Sequence, residues 1–219
     1  MQLLSGRVAV VVGADHVAGR AAAAFFARAG AAVVLAGRDA EVLEGVGRDL
    51  VAAGATAMPA PLDPADLGEA RDLIGRVLER FGQLDVIVLF GHGEGLLAAA
   101  EPVLAERGRG QVILVAPPDA DAAEPAGAER AEPIAAASRR LAEEGRGRGV
   151  VVTLVRPGLL AGELGLPPAG DRLRPEDLAQ AILSLAAFAP GVRPAELVLV
   201  PLGEPAGPAP AAGPTSFPV

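Results

Sequence analysis

Val8-Ala9-Val10-Val11-Val12-Gly13-Ala14-Asp15-His16-Val17-Ala18-Gly19 sets five apolar residues before a glycine turn, and the alanine-rich segment Ala18–Ala29 follows. A short Val-rich run of this kind reads as a strand buried on both faces of a parallel sheet. The turn then delivers the chain to a helix N-terminus, where free backbone N–H groups and the helix dipole converge on an anion. Strand, glycine turn and helix in this order are the usual seat of a dinucleotide pyrophosphate.

Downstream the alternation repeats. Ala32–Leu35, Val86–Phe90, Val112–Val115, Val150–Val155 and Leu197–Val200 predict strands, and Thr56–Ala60 sits where a third strand is required. Ala18–Ala29, Ala40–Ala52, Pro64–Phe81, Leu96–Arg107, Pro133–Glu144 and Pro175–Phe188 have helical period. Asp63-Pro64 predicts an N-cap before a first-turn proline, and Arg174-Pro175-Glu176-Asp177 puts proline and acids in a first turn. Gly30, Gly54 and Gly82 stand where helices end. Pro117–Pro133 is acidic and interrupted, and reads as a loop or a poorly formed helix. Strict alternation predicts an α/β fold: one doubly wound Rossmann-like domain over residues 1–203, with a seven-stranded parallel sheet and helices on both faces. Residues 204–219 carry five prolines and read as a flexible Pro/Ala/Gly-rich tail.

Composition narrows the chemistry. The 219 residues are enough for one domain with a full core. A hydrophobic share of 51% and a mean hydropathy of +0.39 exclude a disordered chain. Lys+Arg 19 against Asp+Glu 27 gives −8, which argues against nucleic acid and against an anionic membrane surface as partners. No cysteine is present, so disulfides and thiolate metal sites are excluded, and two histidines leave little for any metal. Lys, Asn, Tyr and Trp are missing too, and every cation is Arg. A mechanism needing a lysine amine, a phenol or a thiol is therefore excluded in this chain. No basic, apolar leader opens the sequence and no apolar stretch is long enough to span a bilayer, so the expected location is the cytoplasm.

From about Leu4 to Gly203 the chain resembles the classical short-chain dehydrogenase/reductase family. The resemblance rests on Val12–Gly19, Leu35-Ala36-Gly37-Arg38-Asp39, Leu62-Asp63, Gly82–Val88, Gly110–Leu114, Leu141–Glu144, Gly149–Val152, Val155-Arg156-Pro157-Gly158, Pro175–Ala179 and Glu196–Gly203, all in family order. It implies a cofactor site at Gly13, His16, Val17, Gly19, Arg38, Asp63, Gly91, Pro157 and Gly158. Arg38 would face the 2′-phosphate of NADP and Asp63 the adenine, which favours NADP over NAD. Of the opening motif T-G-x-x-x-G-x-G, only Gly13 and Gly19 match. Val17 fills the space that a glycine would leave for the cofactor, and Asp15 would oppose a phosphate.

The match fails at the chemistry. The family's catalytic serine falls on Pro117, and its tyrosine and lysine near Gly127 and Ala131. Its asparagine has no counterpart, because only 16 residues separate Gly93 from Gly110 and the fourth helix is shortened. A threonine that holds the carboxamide becomes Gly162. Only 16 residues separate Gly158 from Pro175, leaving a short substrate lid. The resemblance thus implies a short-chain dehydrogenase/reductase-like protein without the family tetrad, acting as a structural, regulatory or atypical subunit. Two alternatives stay open. His92 and Glu94, in Gly91-His92-Gly93-Glu94-Gly95, form a candidate acid/base pair for a lyase, isomerase or cyclase step, or simply a solvated glycine turn. An NADP(H)-binding oxidoreductase, or a nucleotide sensor using only the adenine half, is the other. Asp63 also reads as the N-cap of the helix at Pro64, and Arg38 as a complement to Asp39. As partner, a second copy or an intact short-chain reductase is expected through Pro175–Pro201, where the Leu178, Ile182, Leu185 and Phe188 stripe adjoins the apolar strand Leu197–Val200.

Overall fold

The computed structural model describes residues 3–91, 93–117, 125–145, 147–158, 172–188 and 194–199, with 125–133 as backbone alone. Seven strands alternate with six helices in the described residues: β1 (Val8–Val12), α1 (Val17–Arg28), β2 (Ala32–Gly37), α2 (Ala40–Ala52), β3 (Ala57–Pro61), α3 (Leu67–Phe81), β4 (Val86–Phe90), α4 (Glu94–Arg107), β5 (Gly110–Val115), α5 (Pro125–Glu144), β6 (Val150–Pro157), α6 (Pro175–Ala186) and β7 (Glu196–Leu199). All strand pairs are parallel, in the order β3-β2-β1-β4-β5-β6-β7. This is the doubly wound α/β fold that the alternation predicts.

The pleat sorts the β1 side chains between two layers. Val8, Val10 and Val12 enter a core shared with α3, α4 and α5 through residues such as Leu73, Leu96 and Leu141. Ala9 and Val11 enter the other, with Phe26 of α1, Leu43 of α2 and Ile182 of α6. All five are buried, as a strand covered on both faces requires. The strand order reverses between β1 and β4. Val12 pairs with Ala36 on one side and Leu89 on the other, so Gly13, Gly37 and Phe90 emerge together at the carboxyl edge of the sheet. A crevice at such a reversal is where open α/β sheets place their ligands.

Several boundaries differ from the sequence reading. α3 starts at Leu67 rather than Pro64, and its N-cap is Asp66, whose carboxylate accepts the Glu69 N–H. Asp63 is therefore not the cap of α3; its carboxylate accepts the Ala65 N–H and an Arg38 nitrogen. α5 begins at Pro125, well ahead of Pro133, so it is not a short helix and the segment before Pro133 is not wholly loop. Burial of Ile134, Ala135 and Leu141 against the sheet outweighs a proline inside the helix. Pro102 does not interrupt α4 either, since Leu96, Leu97, Ala99, Ala100 and Leu104 bury its inner face. Glycines at +91° (Gly30), +86° (Gly54) and +70° (Gly82) close α1, α2 and α3 in left-handed geometry, as expected. Val200, Pro201, Gly162 and the 204–219 tail lie outside the described residues.

The end of α6 is tied to the sheet by side chains. Arg7 donates from Nη1 to the Ala186 carbonyl at 2.8 Å, and Gln111 Nε2 donates to the Leu185 carbonyl at 2.7 Å. Both carbonyls lie in the last turn of α6, beyond the intrahelical ladder, and that of Leu185 also accepts the Phe188 N–H at 3.3 Å. Among the described residues no helix is long and apolar enough to cross a membrane.

Candidate functional site

The carboxyl edge at the β1/β4 reversal is built first by backbone. Gly13 and Ala14 donate their N–H groups to the Ala36 carbonyl at 2.9 and 3.1 Å, extending the β1–β2 ladder past the end of β1. Gly13 then turns with φ +82°, and the Gly13 carbonyl accepts the His16 N–H at 2.9 Å. Gly19 lies hard against this turn: a Cβ there would stand 2.0 Å from the Gly13 oxygen. Close packing of helix on strand explains why these two glycines of the motif are kept. His16 is the N-cap residue of α1 by backbone only. Its side chain makes no cap bond, is exposed, and has Nε2 3.9 Å from Asp15 Oδ1. Val17, half-buried, takes the first position of α1.

Asp15 is the residue whose role the sequence reading missed. Its carboxylate is only 10% exposed, and Oδ2 accepts two backbone N–H groups at the end of β2, from Arg38 at 2.9 Å and Asp39 at 3.1 Å. Room for it comes from Gly37, where a Cβ would meet Asp15 Oδ1 at 2.5 Å. The one signal available in the sequence was the side-chain-free position at the end of β2 opposite an acid in the turn.

Arg38 is committed elsewhere. Its Nη2 donates to both Asp63 carboxylate oxygens, at 2.9 and 3.1 Å, and not to Asp39. Asp39 instead caps α2 by accepting the Val42 N–H. Asp63 also donates its own N–H to Glu69 Oε2 at 2.8 Å. The Ala65 N–H and then the Arg38 guanidinium hold the Asp63 carboxyl below the usual carboxylate range. Next along, α4 leans on the same loop: Leu96 donates its N–H to the Pro64 carbonyl at 3.0 Å, and Gly95 admits the Ala65 carbonyl where a Cβ would stand 2.5 Å away.

The structure thus brings Gly13, His16, Val17, Gly19, Arg38 and Asp63 to one edge. Gly91, at φ +78°, follows β4. Pro157 ends β6, and the Gly158 N–H donates to the Leu199 carbonyl at 2.8 Å, so this turn is held by β7. Where β4, β5 and β6 end, the described residues are Phe90, Gly91, Ala116, Pro117, Pro157 and Gly158, and none carries an acid, base or nucleophile. Phe90 packs over the turn, its Cβ 3.0 Å from where a Gly13 Cβ would be. Glu94 is exposed in the first turn of α4, while His92 lies outside the described residues. Among the described residues no group of three His, Cys, Asp or Glu could hold a metal.

Tested against a dinucleotide phosphate, the edge divides. The first turn of α1 holds no acid and no side-chain cap, as an anion site requires. At the end of β2, where a Rossmann fold recognises the adenosine ribose and its 2′-substituent, the backbone donors and the arginine already serve the chain's own carboxylates. The residues present do not fit a 2′-phosphate.

Comparison with known proteins agrees with this architecture. The family model for short chain dehydrogenases matches residues 7–101. A hydroxy(phenyl)methylsuccinyl-CoA dehydrogenase subunit, BbsC, of Thauera aromatica is 35% identical over 109 residues, covering 50% of this chain and 43% of that protein. Glycine betaine reductase ATRR of Emericella nidulans is 28% identical over 243 residues, covering 92% of this chain and 19% of its own. The chain spans less than half the length of both relatives. Among solved structures, a metagenomic short-chain oxidoreductase in complex with NADP is 28% identical, with TM-score 0.76 and coverage of 91% of this chain and 98% of that one.

Proposed function

We propose that this chain is a member of the short-chain dehydrogenase family and that within it the protein is a structural or regulatory subunit with no hydride transfer of its own. The carrying observation is that none of the 219 residues is tyrosine or lysine. Reduction of a carbonyl needs a proton donor beside it, and a phenol serves near neutral pH only when a neighbouring cation lowers its pKa. At that edge the described strand ends supply Phe90, Pro117 and Pro157, none of them an acid or a base. That the Thauera aromatica relative is named as a dehydrogenase subunit supports a role inside an assembly.

The partner in this reading is a second copy or an intact short-chain reductase, docked through Pro175–Pro201. β7 is an edge strand with Val198 49% exposed, and Phe188 after α6 is 42% exposed. Leu178, Ile182 and Leu185 of the expected stripe are instead buried in the chain's own core against α1, so they are not part of the docking face. One helix and one strand from each partner can supply a standard interface of roughly 1,600 Å². The test is NADPH oxidation by the purified chain against a broad carbonyl panel, alone and co-purified with a reductase encoded next to it. The chain alone gives no turnover; clear turnover by it refutes the reading.

A further inference from the structure

We infer that Asp15 is a built-in anion that closes the 2′-phosphate position of this cleft, with Asp63 holding the arginine that would otherwise serve it. A 2′-phosphate beside the end of β2 needs donors there, and the fold offers two kinds: backbone N–H groups after the strand and a guanidinium on the next residue. Both are taken. Asp15 Oδ2 accepts the Arg38 and Asp39 N–H groups, and the carboxylate itself is only 10% exposed. Charge-assisted bonds from backbone N–H groups to a carboxylate are among the stronger ones in proteins. An incoming phosphate would have to displace that carboxylate and then sit next to it.

Gly37 and Asp15 are matched parts of this closure. With any side chain at residue 37 the carboxylate could not lie where it does, since even a Cβ would come within 2.5 Å of Oδ1. Arg38 completes it from the far side. Its side chain is 70% exposed, yet it is aimed across the cleft at Asp63, which is anchored by the Ala65 N–H and by its own N–H to Glu69. The Arg38–Asp63 pair, with side chains 70% and 45% exposed, is the more open part, and the Asp15 carboxylate, 10% exposed, the more enclosed one. The chain therefore carries the arginine that reads as an NADP signature without offering it to a phosphate. This is independent of whether the chain catalyses anything.

Calorimetry with two probes isolates the 2′-phosphate: adenosine 2′,5′-bisphosphate and adenosine 5′-monophosphate, each titrated into the full chain. The wild type shows no preference for the bisphosphate, and this arm depends on no variant. Asp15→Ser frees both N–H groups, and the preference rises by about tenfold or more, the scale of one recovered hydrogen bond to a charged group. Arg38→Ala in the Asp15→Ser background keeps the gain, because residue 38 retains its backbone N–H and its guanidinium belongs to Asp63. Asp15→Asn, isosteric and neutral, keeps the local fold and raises the preference in the same direction; circular dichroism melting checks both variants. A wild-type preference for the bisphosphate overturns the inference. So does an unchanged ratio, or no binding of either probe, in both Asp15 variants.

Discussion

Asp15 and Gly37 occupy one space between them: a Cβ on Gly37 would stand 2.5 Å from Asp15 Oδ1. Two residues 22 positions apart are thereby coupled through sterics, and through the pair of N–H bonds that the carboxylate accepts from residues 38 and 39. Gly37→Ala must push the carboxylate off those donors, which costs about 0.5–1.5 kcal/mol, the net worth of a hydrogen bond whose N–H can turn to water. In an Asp15→Ala background the new methyl meets no carboxylate, so the same change costs little. Urea denaturation followed by circular dichroism (the chain has no Trp or Tyr to report by fluorescence) gives the cycle. Additive effects of the two substitutions would show that the residues are not coupled.

Asp63 makes folding sensitive to acid. In the folded chain the Ala65 N–H first and Arg38 second hold its carboxyl below the ordinary aspartate value of 3.8. A carboxyl depressed on folding adds stability above its unfolded pKa, and that stability is lost as pH falls through the folded value. Asp177, depressed chiefly by its bond from Arg174, acts in the same window and sense. Both pairs are exposed, so the effect is small and weakens with salt. Below pH 3.8 the wild type loses stability more steeply than Asp63→Asn at low ionic strength. Parallel acid limbs for the two proteins would contradict this.

Arg7 binds the first strand's approach to the last helix, 179 residues on, through the Ala186 carbonyl. Removing the guanidinium while keeping an apolar stem, as in Arg7→Met, leaves that carbonyl short of a donor and takes a cation from a helix C-terminus. The expected loss is about 1–2 kcal/mol. Gln111→Leu, deleting one donor to the Leu185 carbonyl, costs less, about 0.5–1 kcal/mol, because that carbonyl keeps the Phe188 N–H and no charge is lost. The measurement is the shift in urea midpoint at constant slope, and no shift for either variant would rule out this cap.

The proposed α6–β7 interface has its exposed probe at Val198 rather than Leu199. Along β7 the side chains alternate, Val198 standing 49% exposed while Leu199 packs against the α1/α2/α6 core. Val198→Arg therefore breaks association without disturbing the fold. Light scattering at micromolar concentration gives a dimer for the wild type and a monomer for the variant. A wild-type monomer that stays monomeric with a co-expressed reductase ends the proposal.

What the chain determines by local pattern alone is the fold. Val8–Val12, Val86–Phe90 and Ala40–Ala52 are legible to the residue, because a strand buried on both faces needs an unbroken apolar run and an amphipathic helix needs its period. The glycines at 13 and 19 mark the turn, and the absence of Tyr and Lys by itself bounds the chemistry. Packing decided what pattern could not. Pro133 reads as a helix start, yet α5 runs through it because Ile134 and Leu141 are buried on the sheet. Asp63 reads as a cap until Arg38 and Ala65 claim its carboxylate and Asp66 takes over α3. Asp15 reads as a residue in a phosphate loop. Only the alignment of β1, β2 and β3 side by side brings residues 15, 37, 38 and 63 to one edge, where a carboxylate distant in sequence becomes the nearest acceptor for two strand-end N–H groups.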